Sequence, residues 1–345
     1  MRLVIDGFGK FVGKENDLIV VKERGKILKK VKPDELRQVV FCGKASISTD
    51  AISLLLKNSV DVVFLSKSGD VAGRLTHPFV GTAKTRREQY LAYNDWRSVY
   101  LAKEFVSAKI RNQAAVLGNL AKSRRDSDSA LAEELRLSRS EILSVLDEVS
   151  EIDGERIDDV REEVLGLEGK ASKAYWGAIA LIIPGEYRFT GRRGLMPGQT
   201  RYAQDSVNAS LNYGYAILHS ECVRAVELAG LDVYAGFLHA DRAGRTSLAL
   251  DLMEEFRQQI VDRAVLRLIS RRQLKPDCDV VNFVCVLSEE QRKVLLSEIL
   301  ERLDTKTQFE GRSYRYSAII LNQARKIASF LRGERRSYSG FWQHW

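Results

Sequence analysis

A chain of 345 residues, 45% of them hydrophobic, is long enough for two domains and at least one large core. Its 54 Lys and Arg against 46 Asp and Glu leave a formal charge of +8, which favours a polyanionic partner without requiring one. A membrane-spanning chain and a disulfide scaffold are both disfavoured: the longest apolar run, AYWGAIALIIP ending at Pro184, is about half the ~18 residues a span needs, the start MRLVIDGFG lacks a signal-peptide layout, and Cys42, Cys222, Cys278 and Cys285 form no CxxC pair.

Residues 1–78 read as a β-rich domain. Short apolar runs (RLVI, KFVG, DLIVV, ILKKV, RQVVFC, DVVFLS, VAGRL) alternate with turns, and Glu23-Arg24-Gly25-Lys26 has the composition of a hairpin turn. One short helix interrupts them, with Ser48 or Thr49 as its cap and Ala51, Leu54 and Leu55 facing a core. Residues 79–83 read as a linker, because Pro78 and Gly81 punctuate the sequence just where the composition changes.

From Lys84 to Trp345 the periodicity is helical. Apolar residues recur every three or four positions over 84–120, and Leu131, Leu135, Ile142, Leu143 and Leu146 mark an inward face over 126–150. Further helices are predicted over 157–182, 205–229, 247–272, 288–303 and 315–332, with Asp205 or Ser206 capping the second of these. DCDVVNFVCVL is either a strand or a buried extended piece. The basic, aromatic end GERRSYSGFWQHW is expected to leave the globule. The fold class is therefore α+β, a small β-sandwich-like domain followed by a larger all-α domain.

Three stretches can carry chemistry. In the helix over 157–182 the apolar stripe is Val164, Leu167, Ala171, Ala174 and Ala178, and Glu168 lies within it. A carboxylate on a core-facing stripe needs a partner: a metal, an arginine, a helix end, or simply Lys170 or Lys173 beside it. Gly166, Gly169 and Gly177 suggest close packing or the approach of a ligand. In GFLHADRAGRTSLALDLMEEFR, His239 ends an apolar run, and Asp251 and Glu254 follow three apart on one helical face. An imidazole with carboxylates suits Mg²⁺ or Mn²⁺ and tilts toward Mn²⁺; the plainer alternative is a solvated acidic turn with Glu254 paired to Arg257 or Gln258. The loop from Tyr187 to Tyr215 carries Arg188, Arg192, Arg193 and Arg201 among Gly and Pro, a pattern that grips phosphates, while Asn208 either reaches a phosphate or fixes the loop. Arg242 and Arg245 add charge beside His239.

These pieces together resemble one family, the CRISPR-associated adaptation integrases, also known as metal-dependent DNA endonucleases. The resemblance rests on Gly43 followed by SISTDAI, VVFLSKSGDVAGRL, KIRNQ (109–113), LEGKASKAYW, DSVNASLNYGYAIL and the His239 segment, and covers nearly the whole chain. It implies a metal triad of Glu168, His239 and Glu254, with Asp251 a further functional acid. It also implies a homodimer formed through the β domain, a small ferredoxin-like partner protein, and insertion of short captured DNA into a repeat array by phosphodiester transesterification. The substrates would be double-stranded, single-stranded or branched DNA, in the cytoplasm and away from membranes. One departure is the loop GRRGLMPGQTRYAQDSVN, where the family more often has a Pro-rich stretch. The residues alone leave two alternatives: a metal-dependent nuclease of DNA repair, and a non-catalytic DNA-binding protein.

Overall fold

A computed structural model describes residues 1–66, 71–76, 83–192 and 202–343. The chain divides into two compact units, Met1–Phe79 and Val80–Trp345. Arg193 and Arg201, and all of the expected linker except residue 83, lie outside the described residues.

The first unit contains, in chain order, β1 (Arg2–Ile5), β2 (Lys10–Glu15), β3 (Leu18–Glu23), β4 (Lys26–Val31), β5 (Gln38–Phe41), β6 (Ser46–Ile47), α1 (Thr49–Lys57), β7 (Asp61–Leu65) and β8 (Val71–Leu75). They form two four-stranded sheets, ordered β1-β5-β7-β8 and β4-β3-β2-β6. Strand alternation sends Leu3, Ile5, Val39, Phe41 and Val62 of the first sheet and Val12, Ile19, Val21 and Val31 of the second into one apolar cluster, which Ala51 and Leu55 of α1 join. Ser48 caps α1, its hydroxyl accepting from Ala51 N at 3.2 Å. Arg24 and Gly25 both have positive φ, 48° and 80°, as a two-residue hairpin turn between β3 and β4 requires.

The second unit is built on α2 (Ala83–Ala92), α3 (Trp96–Arg124), α4 (Ser129–Glu151), α5 (Ile157–Ile182), α6 (Ser206–Leu228), α7 (Ser247–Glu254) and α8 (Arg263–Ser270). It continues through β9 (Asp279–Val281), β10 (Val284–Val286), α9 (Glu289–Asp304), β11 (Lys306–Phe309), β12 (Arg312–Arg315) and α10 (Tyr316–Leu331). The helical run expected over 84–120 is two helices. Asp95 ends the first and caps the second, accepting from Arg97 N at 2.9 Å and from the Arg97 guanidinium. The segment expected as one helix over 247–272 is interrupted by a π-helical turn, Gln258–Asp262, between α7 and α8. Among the described residues no helix is long and apolar enough to cross a membrane.

Three expectations are corrected. The larger domain is not all-α, because β9–β10 and β11–β12 are antiparallel ribbons; each turns through two residues of positive φ, Asn282-Phe283 and Glu310-Gly311. Cys278 and Cys285 are joined in a disulfide across the first ribbon, a pairing that their spacing outside any CxxC motif hid. The C-terminal segment does not leave the globule: Tyr338 and Phe341 are 2% and 0% exposed, because two large apolar rings outweigh the charge of the preceding Arg335 and Arg336.

Candidate metal and phosphate site

The long helices α3 and α5 and the short α7 bring three charged side chains to one point. Lys109 of α3 is 6% exposed in a stretch otherwise dominated by apolar residues. Its ammonium contacts Glu168 Oε1 of α5 and stands 2.6 Å from Glu254 Oε2 of α7. Burial opposes the charge on Lys109, but the two carboxylates outweigh it and hold its pKa above the ordinary lysine value. For Glu254, burial alone would raise the pKa; Arg257, Lys109 and His239 more than offset it and keep the carboxyl ionised. Arg257 Nε lies 3.3 Å from Glu254 Oε1, with its guanidinium centred 4.5 Å from the Tyr215 ring.

Glu168 is held from its other side. Ser172, one turn along α5, donates to Oε1 at 2.9 Å, and Gln113 donates to that serine hydroxyl at 3.1 Å. The partner of Glu168 is thus Lys109 from another helix. Lys170 instead pairs with Glu148. The stripe that α5 buries is Ile157, Val160, Val164, Ala171, Tyr175, Ala178 and Ile179, so Leu167 and Ala174 lie at its edges. Gly166, Gly169 and Gly177 have nothing within 4 Å of a built Cβ; close packing within the chain is not their role.

His239 enters through an irregular loop that Asp251 organises. Asp251 is fully buried; its Oδ2 accepts from Phe237 N at 2.7 Å and Leu238 N at 3.1 Å, and its Oδ1 accepts from His239 N at 2.9 Å and lies 2.6 Å from His239 Nδ1. Four contacts fill the lone pairs of this carboxylate, so it orients the ring and keeps no free position for another ligand. Gly236 permits the loop to lie this close: a Cβ there would stand 2.6 Å from Ser247 Cβ and 3.0 Å from Asp251 Oδ2.

The arginines divide into two groups. Arg192 is committed inward, donating to Asn208 Oδ1 and Asn212 Oδ1, each at 2.8 Å, with its guanidinium near the Trp176 and Tyr215 rings. Asn208 is fully buried, donating to Gly191 O and Asp205 Oδ2, so it fixes the loop, while Asp205 caps α6. Arg188 and Arg242 are exposed and Arg245 is half-buried. Burial and the neighbouring Arg242 both lower the pKa of Arg245, the electrostatics of a place that would welcome an anion.

Among the described residues, no three His, Cys, Asp or Glu side chains converge closely enough to hold a metal ion. The donor set nevertheless suits a hard divalent cation in kind, with two carboxylates already gathered on one cation and an imidazole beside them. Glu254 Oε2 supports this: it is buried and finds no hydrogen-bond donor of proper direction among the described residues, although the Lys109 ammonium is near enough for charge pairing. Sequence reasoning passed over Lys109 and Arg257 as members of the bonding cluster. The signal was there in Lys109, Asn112 and Gln113, polar residues falling on the buried face of α3.

Comparison with known proteins fits this arrangement. The family model described as CRISPR associated protein Cas1 matches residues 3–301. The chain belongs to the Cas1 family. A relative from Archaeoglobus fulgidus, named CRISPR-associated endonuclease Cas1 1, is 64% identical, with all of both chains covered. A CRISPR-associated protein Cas1 3 from Methanobrevibacter ruminantium is 33% identical, again over all of both chains. Among solved structures, a casposase bound to integration product superposes with a TM-score of 0.81 at 26% identity, covering 98% of this chain and 92% of that one. A Cas1 protein from Thermotoga maritima shares the fold at a TM-score of 0.73 and 18% identity, with all of both chains covered.

Proposed function

We propose that this Cas1 family member is a metal-dependent DNA endonuclease and integrase of CRISPR adaptation, joining captured DNA into a repeat array. The observation that carries the reading is the meeting of Glu168 and Glu254 on one buried cation, beside a histidine oriented by Asp251. The name of the Archaeoglobus relative and the DNA-bound casposase support it.

Glu168, His239 and Glu254 would hold Mg²⁺ or Mn²⁺. Bound there, the ion would act as a Lewis acid on the scissile phosphate. Asp251 binds the proton on His239 Nδ1 and leaves Nε2 as the ligand nitrogen. Ser172 and Gln113 hold Glu168 in place. Lys109 and Arg257 supply fixed positive charge against the pentacoordinate phosphate, and Arg188, Arg242 and Arg245 track the backbone on either side. In strand transfer a 3′-hydroxyl oxygen forms the new bond to phosphorus, and the bond to the departing 3′-oxygen breaks, that oxygen taking up a proton. Water in place of the hydroxyl gives cleavage.

Arg192 and Asn208 shape the phosphate loop from behind. Arg193 and Arg201 complete that loop in this reading. We also assign homodimer formation to the N-terminal unit and a small ferredoxin-like protein as partner, following the Cas1–Cas2 complexes of related fold. The test is transfer of a 3′-hydroxyl oligonucleotide into supercoiled plasmid in Mn²⁺. His239→Ala should abolish joining and nicking while binding DNA as before. Nicking without joining would favour the repair nuclease, and binding without either would favour an architectural protein.

A further inference from the structure

The C-terminal strap is the part of the helical unit that the proposed chemistry leaves unused, and it runs beside the acidic centre. Gly340 lies flush on α3: a Cβ there would stand 2.6 Å from Ala108 Cβ and 2.8 Å from Glu104 O. Its N–H donates to Glu104 Oε2 at 3.0 Å. One turn on, Asn112 ties four groups together. It donates to Glu255 O and Phe341 O, both at 2.9 Å, and accepts from Gln259 at 3.0 Å and Gln343 N at 3.1 Å. Glu255 is fully buried, and its carboxylate accepts from the Tyr338 hydroxyl, from Gln323 at 2.9 Å and from Phe341 N at 2.7 Å. Phe341 stacks on Phe256 with ring centres 5.0 Å apart and planes 7° from parallel.

Asn112 follows Lys109 by three residues on α3, and Glu255 follows Glu254 at the end of α7. The strap therefore bonds to both elements beside the residues that meet in the centre. Without it, Asn112 would lose two of its four partners, and a buried carboxylate would keep one donor of three, a costly condition inside a protein. We infer that residues 334–343 position the acidic centre, setting how α3 presents Lys109 to Glu254 and so how tightly the carboxylates hold a divalent cation. This rests on the metal-dependent reading above. Tyr338 and Phe341 are positioning residues that act through Glu255 and Asn112.

The experiment uses the full-length chain with Phe341→Ala, Phe341→Leu and Tyr338→Phe, well below each unfolding midpoint. It measures kcat and KM for DNA cleavage in Mn²⁺, and Mn²⁺ binding alone by calorimetry without DNA. Phe341→Ala should weaken Mn²⁺ binding about 10-fold and lower kcat about 10- to 100-fold, with KM for DNA within about twofold. Phe341→Leu should recover most of both, and the nearly isosteric Tyr338→Phe should show a smaller loss of the same kind. Variants that unfold at lower temperature yet keep full Mn²⁺ affinity and kcat overturn the inference and leave the strap as packing. An unaltered chain with no Mn²⁺-dependent cleavage overturns the functional reading, and the inference with it.

Discussion

Among the described residues, the N-terminal unit buries Leu3, Ile5, Val12, Ile19, Val39, Leu55 and their neighbours, with only Gln38 and Asp61 as buried polar or charged side chains; the helical unit buries Lys109, Asn112, Asp251, Glu254, Glu255, Gln259 and Asp262 among many others. An apolar core is non-directional, and each side chain contributes through area alone. A buried charge is worth nothing unless its partner is in place, so the helical unit is organised by pairings that leave little freedom. One unit is built to be stable, and the other places stability at risk to hold charges where they can act.

That contrast can be broken most forcefully at Lys109. Lys109→Met leaves two carboxylates without their shared cation and should cost about 3–5 kcal/mol in urea unfolding. Added Mn²⁺ should return part of that loss, since a ligand bound only by the folded chain stabilises it. A variant as stable as the unaltered chain would show that the pair is not a strong interaction. In the other unit, Leu55→Ala should cost about 2–4 kcal/mol through a cavity, yet leave the Mn²⁺ concentration for half-maximal cleavage unchanged. A shift in that concentration would mean the two cores are not independent.

A smaller effect is expected at Asp251. Asp251→Asn keeps the shape but turns an amide toward N–H donors, and should weaken Mn²⁺ binding about 10- to 100-fold by calorimetry. Smaller still is the pH response of Asp262, which accepts from Tyr175 at 2.9 Å and Tyr215 at 2.5 Å. Burial raises its pKa from 3.8 to about 6. A raised acid favours folding in its protonated form, so its contribution is full below pH 3.8 and is lost as pH rises through about 6. Asp262→Asn should therefore gain on the unaltered chain by at most about 1.4 kcal/mol per pH unit within that window, and hold a constant difference above it. A flat difference between pH 4 and 7 in urea titrations would contradict the burial argument.

The sequence was most legible where local signals agreed. The helix expected over 157–182 has those bounds, and α6 lies within one residue of its expected ends because Asp205 is a strong cap. The Arg24-Gly25 turn follows from residues that tolerate positive φ. What escaped depended on partners distant in the chain. Lys109 and Glu168 are 59 positions apart, and Tyr338 reaches Glu255 across 83. No periodicity encodes such pairings. The β11–β12 ribbon was hidden because KTQF and RSYR are mostly polar, and the Cys278–Cys285 bond because a hairpin, not a motif, brings the two together.

The π-helical turn at Gln258–Asp262 carries a consequence for how this family member can vary in length. A residue advances an α-helix by about 100°, so deleting one there would rotate all of α8 against α7. Val265 and Leu268, now at 1% exposure each, would swing out of the interior, and Arg263 would swing with them. Substitutions within the turn can be absorbed one at a time, but a single-codon deletion acts on every later residue of the helix together, which makes its residue count more constrained than its composition.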